Sequence, residues 1–195
     1  MSIKVDQVLD CKGLFCPMPI VRTKKAMDQL EAGQVIEVLA TDKGSLADIQ
    51  GWARNTGNQY LGTKEDGDVL IHYLRKANPD EVKEATKFEH TIQNDELEKA
   101  LDSKNDDMVI LDVREPAEYA FKRIPGAVSI PLGDLENKLS TLDKNKEIHV
   151  VCRTGNRSDM AAQILTANGF EKVKNVLPGM SEWTGPTEND EGGNK

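Results

Sequence analysis

The chain has 195 residues, 38% of them apolar and 30% charged, a balance expected of one large or two small globular domains. No apolar run is long enough to span a bilayer, and the opening MSIKVDQVLD has no apolar signal core, so the expected compartment is the cytoplasm and no membrane is expected as a partner. The net charge is −8, all of it beyond residue 76, because residues 1–76 carry ten basic and ten acidic side chains; without a basic stripe to release counterions, general nucleic-acid binding is excluded. An acidic surface with a locally positive pocket suits a small anionic substrate or a basic protein partner. Three cysteines, Cys11, Cys16 and Cys152, are an odd number and make no disulfide framework, so they point to thiol chemistry.

Ile3 to Leu9 reads as a strand and Asp10 to Gly13 as a turn. Pro17 sits where a helix can begin, since a proline at the first helical position gives up no hydrogen bond, and the helix is predicted over Ile20 to Leu30 with Gly33 as its stop. Cys16 then lies at a helix N-terminus, where the helix dipole is expected to favour its thiolate; the bland alternative packs it under Phe15 and Met18. Val35 to Ala40 is a strand, Leu46 to Asn55 a helix ended by Gly57, and Gln59–Leu61 and Val69–Leu74 two strands joined through Lys64 to Asp68. The order β-α-β-α-β-β predicts a two-layer α/β sandwich with two helices on one sheet.

The runs LDCKGLFCPMPIVRTKKAM and VIEVLATDKGSLADIQGWARNTGNQYL, with Cys-Pro-x-Pro as Cys16-Pro17-Met18-Pro19, resemble the TusA family of sulfur carriers over most of residues 3–75. The resemblance implies that Cys16 carries sulfur as a persulfide. Asp42 matches an acidic position in the family's Ala-Thr-Asp turn, which implies partner recognition; a plain turn or capping aspartate is the alternative. Cys11 departs from the usual family pattern. It is read as a filler at a strand end in preference to a resolving thiol for Cys16, and a zinc site lacks a paired Cys/His spacing.

Residues 1–75 are thus assigned to the sulfur-carrier domain, and 76–87, with a proline, many charges and no wide apolar face, to a linker. The second domain is predicted over 88–185. Its helices are expected at Asp95–Leu101 with Asn94 as N-cap, at Pro116–Phe121, at Leu132–Leu142 and at Arg157–Ala167. Its strands are expected at Met108–Val113, Ala127–Ile130, Ile148–Val151 and Val173–Val176, with a short helix over Pro178–Trp183 and a polar, disordered tail over 186–195. The alternation predicts a doubly wound α/β domain with a parallel sheet and a reactive loop at the carboxyl end of a strand.

That loop is Cys152-Arg153-Thr154-Gly155-Asn156-Arg157-Ser158. Gly155 allows a positive φ, so that loop N–H groups and the following helix N-terminus point at one spot. Arg153 and Arg157 add positive charge, and together these features are expected to lower the pKa of Cys152 and to hold an anionic sulfur donor. Thr154, Gly155, Asn156 and Ser158 complete the predicted binding loop. Four residues separate Cys152 from Arg157, one fewer than in cysteine-dependent phosphatases, and the smaller cradle resembles that of rhodaneses, where a sulfane sulfur rides on the cysteine.

The runs LDVREPAEY from Leu111, IPGA from Ile124, CRTGNRS from Cys152 and LPGMSEW from Leu177 resemble single-domain rhodaneses across residues 88–185. Lys122-Arg123 departs from the Gly-His common there and is expected to alter the pocket rim or a partner surface. Asp112 and Arg114 are expected to form a structural ion pair or hydrogen-bond network near the loop. His72, His90 and His149 are scattered and read as structural or surface residues, and Trp52 and Trp183 as core aromatics. Two sulfur-handling modules on one chain imply a relay of sulfane sulfur between Cys152 and Cys16, from thiosulfate, a small persulfide or a polysulfide to an acceptor thiol or protein, with no cofactor and no metal. The rival readings are a persulfide sensor, store or partner-binding module, and a cysteine-dependent phosphatase or arsenate reductase. The oligomeric state and the direction of transfer are left open by the sequence.

Overall fold

The structure is a computed structural model that describes residues 3–79, 88–103 and 105–190. Its internal contacts divide it into two compact units, Met1–Pro79 and Asp80–Lys195.

The first unit runs β1 (Gln7–Cys11), α1 (Met18–Gln29), β2 (Val35–Ala40), α2 (Ser45–Thr56), β3 (Gln59–Asp66) and β4 (Val69–Arg75). The sheet order is β1-β2-β4-β3. β1 and β2 are parallel because a helix crosses between them, and the remaining pairs are antiparallel. Both helices lie on one face. Ile36, Val38 and Leu74 of the sheet pack against Ala26 and Met27 of α1, Leu30 just after it, and Ile49 and Ala53 of α2. This is the two-layer sandwich, with a mixed sheet.

The differences from expectation are local. β1 pairs residue by residue from Gln7↔Ile36 to Cys11↔Ala40, so Cys11 ends a strand and does not belong to the turn. Pro17 is the N-cap of α1 and not its first helical residue; Pro19 takes the second helical position. β3 continues through the polar Lys64–Asp66 because it borders only β4, and the hairpin closes on Gly67 at φ +59°. The predicted linker begins attached: Lys76 exchanges backbone bonds with Gly33 and Gln34, and Ala77 N–H donates to Asn58 at 2.8 Å. The rest of the linker, 80–87, lies outside the described residues.

The second unit runs β5 (Thr91–Gln93), α3 (Asn94–Asp102), β6 (Met108–Asp112), α4 (Pro116–Phe121), β7 (Val128–Ser129), α5 (Leu135–Lys138), β8 (Glu147–Val151), α6 (Asn156–Ala167) and β9 (Val173–Leu177). All strands are parallel, in the order β5-β9-β8-β6-β7. Successive residues of the inner strands face opposite cores. Leu111, Ile148 and Val150 pack with Ala161, Ala162 and Leu165 of α6, while Ile110, Val151 and Val176 pack with Leu97 of α3, Ile124 and Trp183.

Four expectations are corrected here. Asn94 does not cap α3. Gln93 does, in a capping box with Glu96, because the Asn94 amide is occupied by both backbone groups of Gly179, at 2.9 and 3.2 Å. The single helix predicted over Leu132–Leu142 is one α-turn between two 3-10 turns, with the Thr141 hydroxyl donating to the Lys138 carbonyl. The short helix predicted over Pro178–Trp183 is one 3-10 turn, Met180–Glu182. The first half of the predicted disordered tail is held down. Glu188 forms a bridge with Arg123, whose guanidinium lies over Tyr119 and pairs with Glu188 at 3.1 Å and Asp190 at 2.7 Å. Residues 191–195 lie outside the described ones. The Lys122-Arg123 departure thus anchors the chain's own C-terminal segment.

His72 is fully buried in the first unit, with Nε2 3.1 Å from Ser45 Oγ and Nδ1 2.9 Å from the Tyr60 hydroxyl. Burial pushes its pKa down to about 4. The unfolded chain takes up that proton near the ordinary value of about 6.5. Stability is therefore complete above that pH and falls as pH drops from 6.5 towards 4, by about 3 kcal/mol at most. Urea unfolding followed at first-domain amides by hydrogen exchange should show this acid loss, and His72→Gln should flatten it. An equal acid loss in the variant would assign the effect to other groups.

Candidate active site

β8 delivers Cys152 to the carboxyl edge of the parallel sheet, and α6 starts four residues later with Gly155 as its N-cap. Cys152 is buried, at 1% exposure. Gly155 N–H donates to Cys152 Sγ at 3.1 Å, and Ser158 Oγ lies 3.2 Å from it. Gly155 has φ +95°, and a Cβ there would stand 2.3 Å from Leu177 of β9. Only glycine fits, and its missing side chain is what lets the loop turn its N–H onto the sulfur.

β9 braces the loop from the side. Asn175 is fully buried; its Oδ1 accepts from the Ser158 hydroxyl at 2.6 Å, and its Nδ2 donates to the Gly155 carbonyl at 3.1 Å. The turn after β9 closes the back of the loop. Met180 N–H donates to the Cys152 carbonyl and Ser181 N–H to the Arg153 carbonyl, both at 2.9 Å. A Cβ on Gly179 would come within 2.6 Å of the first of those carbonyls.

The two loop arginines have different surroundings. Arg157 is buried and places both terminal nitrogens on the Glu118 carboxylate, at 2.7 and 3.0 Å. Its charge is therefore matched inside the protein, contrary to the expectation that it faces the donor as a spare cation. Arg153 is half-buried, and among the described residues no carboxylate pairs with it. Thr154 is exposed and Asn156 half-buried at the loop surface. Asp112 and Arg114 form the expected buried ion pair at 2.6 Å, and Arg114 also caps the Lys122 carbonyl behind α4.

Cys16 lies before α1 and is exposed. Its N–H donates to Asp42 Oδ2 at 3.3 Å, while Asp42 Oδ1 accepts from Gly44 N–H at 3.1 Å. Asp42 thus ties the Cys16 loop to the start of α2. The thiol pKa is raised, first because Asp48 of α2 accepts its hydrogen bond, then by slight desolvation and by the charges of Asp48 and Asp42. The expected lowering by the helix N-terminus is reversed by these two carboxylates. Cys11 is fully buried in the first core, where burial pushes its thiol up, and all three cysteines are free. Among the described residues, no cluster of His, Cys, Asp and Glu is placed to hold a metal.

Asp48, Glu118 and Asn175 were given no role from sequence, and Asn94 only that of a helix cap. Asn175 had a signal, a polar residue inside the apolar run VKNVL; Asp48 and Glu118 look like ordinary helix residues.

Comparison with known proteins bears on both halves. The family described as "Sulfurtransferase TusA" matches residues 7–76, and the family described as "Rhodanese-like domain" matches residues 93–186. The chain is 48% identical over 186 residues to "Putative sulfur carrier protein YrkF" of Bacillus subtilis, covering 95% of this chain and 100% of that protein. It is 43% identical over 83 residues to "Putative sulfurtransferase YtwF" of the same organism, covering 43% of this chain and 80% of that protein. A solved rhodanese-like domain protein from Staphylococcus aureus is 34% identical, with a TM-score of 0.48, and covers 51% of this chain and 97% of its own. No helix of the described residues is long and apolar enough to cross a membrane. A TusA domain joined to a rhodanese-like domain, with full-length similarity to a protein of the same span, places the chain in the family of two-domain sulfur carriers and sulfurtransferases.

Proposed function

We propose that the protein relays sulfane sulfur as a cysteine persulfide, taken up at Cys152 and passed to Cys16. The observation that carries this is the Gly155 N–H held on Cys152 Sγ in a loop one residue shorter than that of cysteine-dependent phosphatases, on a chain that also presents an exposed Cys16. The Cys152 thiolate attacks the outer sulfur of thiosulfate. The S–S bond of the donor breaks, sulfite leaves with the electron pair, and Cys152 becomes a persulfide. A small persulfide or polysulfide donor reacts in the same way, with its own thiolate leaving.

The Gly155 N–H stabilises negative charge on the bound sulfur, and Arg153 attracts the anionic donor. Arg157 acts as a pillar, holding the start of α6 to α4 through Glu118. The Cys16 thiolate then attacks the outer sulfur, Cys152 leaves as a thiolate, and the new persulfide resides on Cys16. Atoms and electrons balance without a cofactor or metal, and a protein or small thiol is the final acceptor. Three free cysteines suit a reducing cytoplasm.

Intact mass after treatment of the reduced protein with thiosulfate tests the relay. Wild type should gain sulfur on both cysteines, Cys16→Ser on Cys152 alone, and Cys152→Ser on neither. Loading of Cys16 in Cys152→Ser would make the two domains parallel acceptors or reverse the direction. Sulfur that never turns over with an added thiol would make the protein a store.

Two variants separate the arginines. Arg153→Ala should raise the KM for thiosulfate about tenfold, the worth of a lost charge-assisted contact, and leave the denaturation midpoint unchanged. Glu118→Gln should destabilise the second domain by about 3 kcal/mol, because Arg157 keeps its charge and loses its buried partner. Equal effects of both on KM and on stability would contradict this division of roles.

A further inference from the structure

The last residue of the cysteine loop, Arg157, is held by Glu118 of α4, and α4 itself needs holding. It has six residues, too few for a helix that stands by itself. Its first turn is closed by the capping box of Glu115 and Glu118. Its last carbonyls are taken by groups from outside the helix. Arg123 Nη1 donates to the Tyr119 carbonyl at 3.3 Å, and Asp190 N–H donates to the Ala120 carbonyl at 3.0 Å.

Arg123 also brings Asp190 to that position. Its side chain is 14% exposed and fully engaged. Nε donates to Glu188 at 3.1 Å, Nη1 to Asp190 at 2.7 Å and Nη2 to the Asn189 carbonyl at 3.3 Å. The guanidinium lies 4.7 Å from the centre of the Tyr119 ring. The backbones of Arg123 and Glu188 exchange two hydrogen bonds, both at 3.0 Å.

The same segment begins at the loop's other support. The Pro186 carbonyl accepts from the indole N–H of the buried Trp183 at 3.0 Å. Trp183 directly follows the turn Met180–Glu182, whose Met180 and Ser181 N–H groups hold the carbonyls of Cys152 and Arg153. Pro186–Asp190 is therefore a strap. It runs from the turn that holds the first half of the cysteine loop to the helix that holds its last residue. Neither end of the ionic contact belongs to the rhodanese pattern: Arg123 stands where histidine is common, and Glu188 and Asp190 follow residue 186, where the family match ends.

We propose that Arg123 is a positioning residue for Cys152: by closing Pro186–Asp190 against α4 it couples the two supports of the cysteine loop, and opening of the strap loosens the Gly155 N–H from the sulfur. Its importance for function rests on Cys152 being the sulfur-loading cysteine. Arg123 touches neither the sulfur nor the donor, and it makes and breaks no covalent bond. The carboxylates that hold it are 43% and 34% exposed, so salt reaches this closure, whereas the buried Arg157–Glu118 pair is shielded. Loading at Cys152 thus gains a dependence on ionic strength that acts through the scaffold.

Amide hydrogen exchange of the full chain without any donor, resolved by NMR, tests this in Arg123→Gln. Exchange at Gly155 and Ser181 should quicken about threefold to tenfold, the range for two partly exposed ion pairs, while Val150 in β8 stays unchanged. Faster exchange confined to Glu188 and Asp190 would make the strap a surface ornament and overturn the proposal. A uniform rise through the second domain would reduce Arg123 to general stability and overturn it as well. The double variant Glu188→Gln, Asp190→Asn keeps Arg123 and changes only half-exposed side chains, and it should show the same pattern. About 0.5 M salt should quicken the same two amides in wild type and change Arg123→Gln little. Arg123→Lys, which keeps the charge without the planar fork, should fall between the two.

Turnover with thiosulfate and an added thiol supplies a second measurement. Arg123→Gln should lower kcat about threefold to tenfold at unchanged KM, because Arg153 still attracts the donor. A raised KM at unchanged kcat would place Arg123 in donor attraction and overturn the positioning role. Absence of any sulfur on Cys152 defeats the proposed function and leaves the exchange result standing; normal loading with an unresponsive Gly155 does the reverse.

Discussion

The placement of one backbone N–H, that of Gly155 on the Cys152 sulfur, depends on contacts from two strands and two turns. β8 sets the position of the sulfur, and the left-handed glycine turns the loop inward against Leu177. Asn175 holds the glycine carbonyl from behind, and the turn at Gly179 takes the carbonyls of Cys152 and Arg153. Each contact satisfies a polar group that the close approach of backbones would otherwise strand away from water. A backbone donor fixed this way needs no rearrangement when charge appears on the sulfur.

Charge around the two cysteines is organised in opposite senses. Near Cys152 the carboxylates of Asp112 and Glu118 are each committed to an arginine, in buried pairs at 2.6 and 2.7 Å. Both pairs secure α4 or the strand before it, so they act on the loop through the scaffold, and no uncompensated negative charge faces the sulfur from them. Near Cys16 the carboxylates are left to act on the thiol itself. Carboxylates are thus neutralised by arginines in one domain and raise the thiol's pKa in the other.

The overall architecture was legible because it rests on patterns with clear periods. β2 and α4 appear at the bounds that apolar runs and Pro116 define, and Gly57 ends α2 in the left-handed conformation. The cysteine loop was legible because cysteine, glycine and arginine at that spacing have few other uses. What was missed depends on partners remote in sequence. Asn94 reads as a cap until Gly179, 85 residues away, claims its amide. β5 has a single buried residue, Ile92, and exists because β9 supplies its pairing. Arg123 reads as a rim change until the C-terminal segment folds onto it. The electrostatic sign at Cys16 was misread because a helix dipole is visible in sequence, while Asp48 reaches the thiol only through the packing of α2 beside α1.

Cys11 and Cys16 are separated by five positions in the chain, yet one is sealed in the first core and the other stands in solvent. A persulfide formed on Cys16 therefore has no accessible thiol within its own domain to attack its inner sulfur. The usual route by which persulfides decay, internal disulfide formation with release of sulfide, is closed by the wall of the core. Sulfur carried on Cys16 as proposed would be kept by geometry and would leave only to a thiol from elsewhere.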